Sequence, residues 1–302
     1  MTVSGDELAT LSTESVDPRF AEIDRMSVAE LATTMNAADA SVPGAVAAEL
    51  PSIVPAIEAA SERMQRGGRL VYVGAGTSGR IGVLDASECP PTFGTPPELV
   101  FGIIAGGPDA IVNPIEGAED DAEAGAAAID SAGIGPNDTV IGIASSGRTP
   151  YVVAAVARAR ELGALTVGLS CNRGTPLSDA AEMPIEVGVG PEVLTGSTRL
   201  KAGTAQKLVL NMFSTIVMVQ QGKTYGSLMV DLKPTNRKLR ERAIGMVSTI
   251  AGVTREVAQG VLEQANFDVK TAAVMLRFGL DREAATARLV AADGRLRAAL
   301  GE

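Results

Sequence analysis

From residue 69 onward the apolar positions fall into short unbroken runs: RLVYV (69–73), LVFGIIA (99–105), DTVIGIA (138–144), ALTVGLS (164–170) and MPIEVGV (183–189). Runs of this length, rich in β-branched residues, predict strands buried on both faces, as in a parallel sheet. Between them the spacing turns helical, over 80–87, 119–132 and 150–162, and a long helix is expected over 199–221 with an apolar, buried second half. The first of these helices is expected to stop before Pro90 and Pro91. Upstream, 23–35 and 37–66 read as helices, the second interrupted at Pro43, Pro51 and Pro55. After Pro234 the texture is helical throughout: 238–251, 254–265 and 269–276 are short amphipathic segments, followed by a last piece over 281–300. Strands alternating with helices predict an α/β fold, a three-layer doubly wound sheet of five parallel strands, followed by a C-terminal three-helix bundle. The expected domains are a flexible N-terminal arm over 1–20, a sheet domain over 21–235 and a helical bundle over 236–302.

Charge sharpens that division. The 302 residues carry 26 basic and 36 acidic side chains, a net charge of −10. The last 67 hold 11 of the basic and 8 of the acidic residues, so the acidity lies in the first 235. An acidic body with 3% aromatics and no Trp argues against nucleic-acid partners and against an anionic membrane surface. No run approaches the roughly 20 apolar residues of a membrane span, and the opening residues show no charged-then-apolar leader. Cys89 and Cys171 are too few for a disulfide framework and are expected as free thiols in a cytoplasmic protein. With no histidine, acid–base chemistry falls to carboxylates, Lys, Tyr or Cys, and neither a metal nor another cofactor is expected.

Two Gly/Ser/Thr turns close predicted strands and open predicted helices. One is GAGTSGR (74–80) and the other SSGRT (145–149). The first has the G-x-G-x-x-G spacing of a dinucleotide fingerprint but no acidic residue closing the next strand. Either turn alone is as readily a helix cap. Together, with backbone amides and hydroxyls at two helix starts, they suit a small phosphate held by neutral donors.

GTS (76–78) and SSGRT (145–149) in these turns resemble the sugar isomerase domain, a flavodoxin-like sheet that binds phosphosugars. GAGTSGRIGVLDASECPPTFG (74–94), EGAEDD (116–121), SSGRTPYV (145–152) and GSTRLKAGTAQKLVLNM (196–212) narrow the resemblance to the N-acetylmuramic acid 6-phosphate etherase family, whose terminal bundle is ubiquitin-associated-like. The similarity runs over about 13–236. Asp17 and the pair Thr198 and Leu200 depart from the family pattern. The resemblance implies cleavage of the D-lactyl ether at C3 of the open-chain phosphosugar, giving N-acetylglucosamine 6-phosphate and D-lactate. It implies Glu88 as the proton donor to the departing lactate and Glu119 as the base at C2. It also implies Ser78, Ser146 and Thr149 as phosphate-binding hydroxyls, with Ser145 a further donor. Thr77, Ser197 and Lys201 are candidate substrate contacts; Arg148 and Arg199 could meet the lactyl carboxylate or Glu residues of a neighbouring subunit, and are equally readable as surface arginines.

The chemistry suits a chain without histidine. A C2 proton beside an aldehyde is acidic enough for a carboxylate base, so elimination and water addition replace displacement of a poor leaving group. Glu88 could equally be a solvated helix-end residue, and Glu119 could serve a helix dipole. An aldose–ketose isomerase, or a non-catalytic phosphosugar-sensing regulator like glucokinase regulatory protein, would share the phosphate turns. A homodimer is expected, with 37–66 and 199–221 as interface candidates.

Overall fold

The structure, a computed structural model, describes residues 11–302. Of the expected arm, residues 1–10 lie outside the described residues, and its remainder is tied to its own chain. Leu11 and Thr13 are buried, and Asn172 accepts from Ser12 Oγ at 2.9 Å and donates to Thr13 Oγ1 at 2.9 Å. The chain forms two compact units. One holds the chain up to Ala86 and Glu98–Ser214; the other holds Ser87–Pro97 and Thr215–Glu302.

In the first unit all five expected strands form. They are β1 Leu70–Gly74, β2 Val100–Ile104, β3 Thr139–Ile143, β4 Leu165–Ser170 and β5 Met183–Glu186, parallel and in the order β2-β1-β3-β4-β5. β1, β3 and β4 are buried at every position, as their unbroken apolar runs require. Burying one such Val, Ile or Leu side chain contributes roughly 1.5–3 kcal/mol, enough for the pattern alone to decide which segments enter the sheet.

The helices of this unit are α1 Val28–Asp39, α2 Val42–Ala48, α3 Leu50–Gln65, α4 Gly76–Phe93, α5 Ala122–Ser131, α6 Pro150–Glu161, α7 Pro176–Ala180 and α8 Lys201–Gln220, of which α4 and α8 continue into the second unit. Val71, Val73 and Val140 share one cluster with Ile129 of α5 and with Val152, Ala155 and Val156 of α6. Strand alternation sends Tyr72 to the other face. There its hydroxyl donates to Asp85 of α4 at 2.7 Å, and Asn211 and Ser214 of α8 donate to the same carboxylate at 2.5 and 3.1 Å.

Three expectations change. Helix α4 does not stop before the prolines but runs through Pro90 and Pro91 to Phe93. Proline φ is helical, so the loss is confined to two amide donors; Cys89 and Phe93 are buried, and Gly94 N–H closes the last turn on Pro90 O at 3.0 Å. The helix expected over 119–132 begins at Ala122, because Asp121 is its N-cap and accepts from Ala124 N–H at 2.9 Å. The second half of α8 is buried on one side only: Phe213, Val217 and Met218 are inside, Ile216 and Val219 are exposed.

The second unit contains the three expected helices as α9 Arg237–Ala251, α10 Arg255–Gln264 and α11 Val269–Phe278. The final piece adds α12 Arg282–Ala291 and α13 Leu296–Leu300. Asn236, Thr254, Asp268 and Asp281 cap four of these helices. Val247, Leu262, Ala272 and Leu289 form their shared core. No single helix among the described residues is long and apolar enough to cross a membrane.

Candidate active site

Gly74 of β1 pairs with Ile143 of β3, so the turns leaving these strands start side by side at the carboxyl edge of the sheet. This is where the strand order reverses, with β2 on one side of β1 and β3, β4 and β5 on the other, and where ligands of such sheets bind. Both turns are close-fitting. A Cβ at Gly79 would lie 2.8 Å from Gly74 O, which keeps the start of α4 against the end of β1. Gly147 has φ +67°, and its absent side chain is occupied by Thr175, whose Oγ1 would be 2.4 Å from a Cβ.

A cavity of about 770 Å³ opens over these turns. Thr77 and Ser78 line it from the first, and Ser145, Ser146, Arg148 and Thr149 from the second. The amino ends of α4 and α6 abut it, so backbone donors and positive dipole ends face one space. Ser145 is fixed on two sides. Its carbonyl accepts from Cys171 N–H and Asn172 Nδ2, both at 3.0 Å, and its hydroxyl oxygen accepts from Gln206 Nε2 at 2.9 Å, leaving the hydroxyl proton free to donate. Burial pushes the neighbouring Cys171 thiol up to about 12, with Glu192 adding to the shift.

Glu119 reaches the same cavity from the segment after β2. It lies in a 3-10 turn, Ala118–Asp120, ahead of α5, and Asp121 rather than Glu119 caps that helix. A dipole-serving role is thereby taken by its neighbour, and Glu119, an exposed residue, lines the main cavity and a smaller one of about 200 Å³ as well.

Thr77, Ser78, Glu119, Ser145, Ser146 and Thr149 are thus brought together, and Glu88, Ser197 and Lys201 are not among the lining residues. Glu88 is exposed on α4, ten residues beyond Ser78. A helical rise of about 1.5 Å per residue puts it roughly 15 Å along the axis. Ser197 lies in the loop before α8, its amide bonded to Leu194 O. Lys201 is buried and lines a separate cavity of about 350 Å³, where its Nζ donates to Val189 O at 2.7 Å. Burial lowers its pKa, against the opposing pull of Glu192.

Glu14, Asp120 and Thr198 also line the main cavity, and sequence reasoning had not placed them there. Glu14 arrives because Asn172 anchors Ser12 and Thr13 beside the Ser145 turn. Asp120 carried a local signal in its place in EGAEDD beside Glu119, and Thr198 in its place beside Ser197 in GSTRLK; Glu14 carried none. Among the described residues no group of three or more His, Cys, Asp or Glu side chains is placed to hold a metal ion.

Residues 52–160 match the model of the glucokinase regulatory protein N-terminal SIS domain, and residues 121–216 that of the SIS domain. An N-acetylmuramic acid 6-phosphate etherase of Rubrobacter xylanophilus is 56% identical over 98% of this chain and 98% of its own. The etherase of that name from Streptomyces avermitilis is 55% identical over 97% of this chain and 94% of its own. Among solved structures, a phosphoheptose isomerase from Francisella tularensis shares the fold with a TM-score of 0.51 at 20% identity, covering 64% of this chain and 100% of that one.

Proposed function

The chain belongs to the N-acetylmuramic acid 6-phosphate etherase family, and from that premise we propose that it cleaves the D-lactyl ether of N-acetylmuramic acid 6-phosphate as a carbon–oxygen lyase of cell-wall amino sugar recycling. The observation that carries this reading is Glu119 in one cavity with two neutral anion-binding turns. Phosphate sits between the amino ends of α4 and α6, held by Ser78, Ser145, Ser146 and Thr149, and Thr77 borders the sugar. Glu119 removes the C2 proton of the open-chain aldehyde, giving an enolate. The C3–O bond then breaks, lactate leaves with a proton from a general acid, and water adds at C3 of the unsaturated aldehyde to give N-acetylglucosamine 6-phosphate. A phosphosugar regulator would use the turns but has no need of a carboxylate at C2.

Glu88 is the acid that the family motif supplies, yet it stands three helical turns beyond the end of α4 that faces the phosphate. A cytoplasmic homodimer, in which Glu88 of one copy serves the cavity of the other, reconciles its motif with its place on the helix. Ser197 and Lys201 act at a distance from the reacting atoms, by shaping the loop and the start of α8.

Exchange of the C2 hydrogen with solvent separates the two carboxylates. Glu119→Gln is expected to lose both exchange and lactate release, and Glu88→Gln to keep exchange while losing release. Retention of lactate release in Glu119→Gln overturns the reading.

A further inference from the structure

Arg148 lines the main cavity together with Glu14, Glu119 and Asp120. Among the described residues it forms no ion pair, whereas Arg19, Arg69 and Arg158 are each held by an aspartate. Among the described residues its Nε is buried without a hydrogen-bond partner, and its backbone amide donates to Ser146 Oγ at 3.2 Å. An unmade hydrogen bond at a buried charged donor is costly, so an arginine left in this state is set for an anion that arrives from outside.

We propose that Arg148 is the specificity-determining residue that receives the lactyl carboxylate of the substrate. The inference rests on the reading above, in which the substrate brings two anionic groups. The phosphate is provided for by the amides and hydroxyls of the two turns, donors that need no side-chain charge. The carboxylate needs a planar two-donor partner, and guanidinium matches it in a fork that neither serine nor lysine reproduces. Arg148 precedes Thr149, the N-cap of α6, so its backbone belongs to the phosphate turn and the distance between the two anion positions is built into one loop. The same charge brings the carboxylate into a cavity otherwise lined by the acidic residues Glu14, Glu119 and Asp120, and it lowers the basicity of the lactate oxygen as the ether breaks. A phosphosugar without the lactyl group leaves Arg148 unpaired and gains nothing from it.

Binding measured by calorimetry in the Glu119→Gln background, where turnover is blocked, tests this separately from catalysis. Arg148→Met is expected to weaken N-acetylmuramic acid 6-phosphate about 10- to 100-fold, the loss of a charge-assisted hydrogen bond. N-acetylglucosamine 6-phosphate should change less than about threefold on the same scale, which also shows that the variant is folded. With Arg148 intact, the methyl ester of the substrate carboxylate should bind as weakly as the acid binds to Arg148→Met. Equal weakening of both sugars would assign Arg148 to the phosphate, and no weakening of either would leave it outside recognition; both results overturn the proposal. Failure of the wild-type chain to release lactate would overturn the etherase reading alone.

Discussion

Gln206 Nε2 donates to Ser145 Oγ at 2.9 Å, so a side chain of α8 holds the first hydroxyl of the second phosphate turn. On the proposed reading Ser145 then serves structure and phosphate binding together. Ser145→Ala removes the acceptor while the other end of the same amide, Gln206 Oε1, is already buried without a partner. The expected cost is about 1–2 kcal/mol of stability, read from urea denaturation, with a raised KM and a smaller change in kcat. An unchanged KM would remove Ser145 from the phosphate site.

Asp85 joins Tyr72 of β1 with Asn211 and Ser214 of α8 while sitting on α4, the helix whose first turn carries Ser78. Asp85→Ala would strand three donors in the interior and is expected to cost about 3–5 kcal/mol. Tyr72→Phe, which deletes one donor and keeps the ring, should cost about 1–2 kcal/mol. A ranking in which Tyr72→Phe is the more damaging variant would show that the carboxylate is not the centre of this network.

Asp138 binds Arg69 Nη2 at 2.7 Å and the amides of Arg69 and Gly135 at 2.9 Å each. Burial alone would raise its pKa, but these partners outweigh it and hold the carboxyl below the usual range. A depressed folded pKa contributes stability that is present above the unfolded value, about 3.9, and is lost as pH falls through the folded one. Asp138→Asn should therefore be less stable than the parent by about 1.5–3 kcal/mol at pH 7, with the difference shrinking below about pH 4. A difference that stays constant down to pH 2 would contradict this linkage.

Gly147→Ala places a methyl group against Thr175 at a backbone with φ +67°. The left-handed conformation alone costs about 1–2 kcal/mol, and displacement of Thr175 adds to it. Because the strain falls on the phosphate turn, affinity for inorganic phosphate or a phosphosugar should drop more than global stability does, as titration calorimetry beside a thermal melt would show.

Supply of the acid across a dimer has a direct readout. Glu88→Gln and Glu119→Gln chains, each inactive, should regain lactate release when mixed and refolded together, since a mixed dimer then holds one intact cavity. If both residues act within one chain, the mixture stays inactive.

How much of the molecule was legible in the sequence depends on the range of the forces involved. The five strands and both turns were legible because each is a local pattern: unbroken β-branched runs, then Gly/Ser/Thr where a backbone must approach a ligand. Glu119 was legible as a candidate, but its release from the helix depended on Asp121 taking the cap, a choice between adjacent acids that composition does not decide. The run of α4 through Pro90 and Pro91 was hidden, because burial of Cys89 and Phe93 outweighs two missing amide donors and burial is a property of the whole fold. The places of Glu14 at the main cavity and of Lys201 at a separate one were hidden for the same reason. Their positions depend on Asn172 and on the path of the loop before α8, contacts separated by many residues in the chain.

D-lactate release by the purified chain, from N-acetylmuramic acid 6-phosphate and from the unphosphorylated sugar side by side, bears on the proposed function before any variant is made. Release from the phosphorylated sugar alone is expected if, as proposed, the two turns hold the phosphate and so place C2 within reach of Glu119. No release, with binding of the phosphosugar still seen as a thermal shift, would contradict it and leave a phosphosugar-sensing protein built on the same sheet.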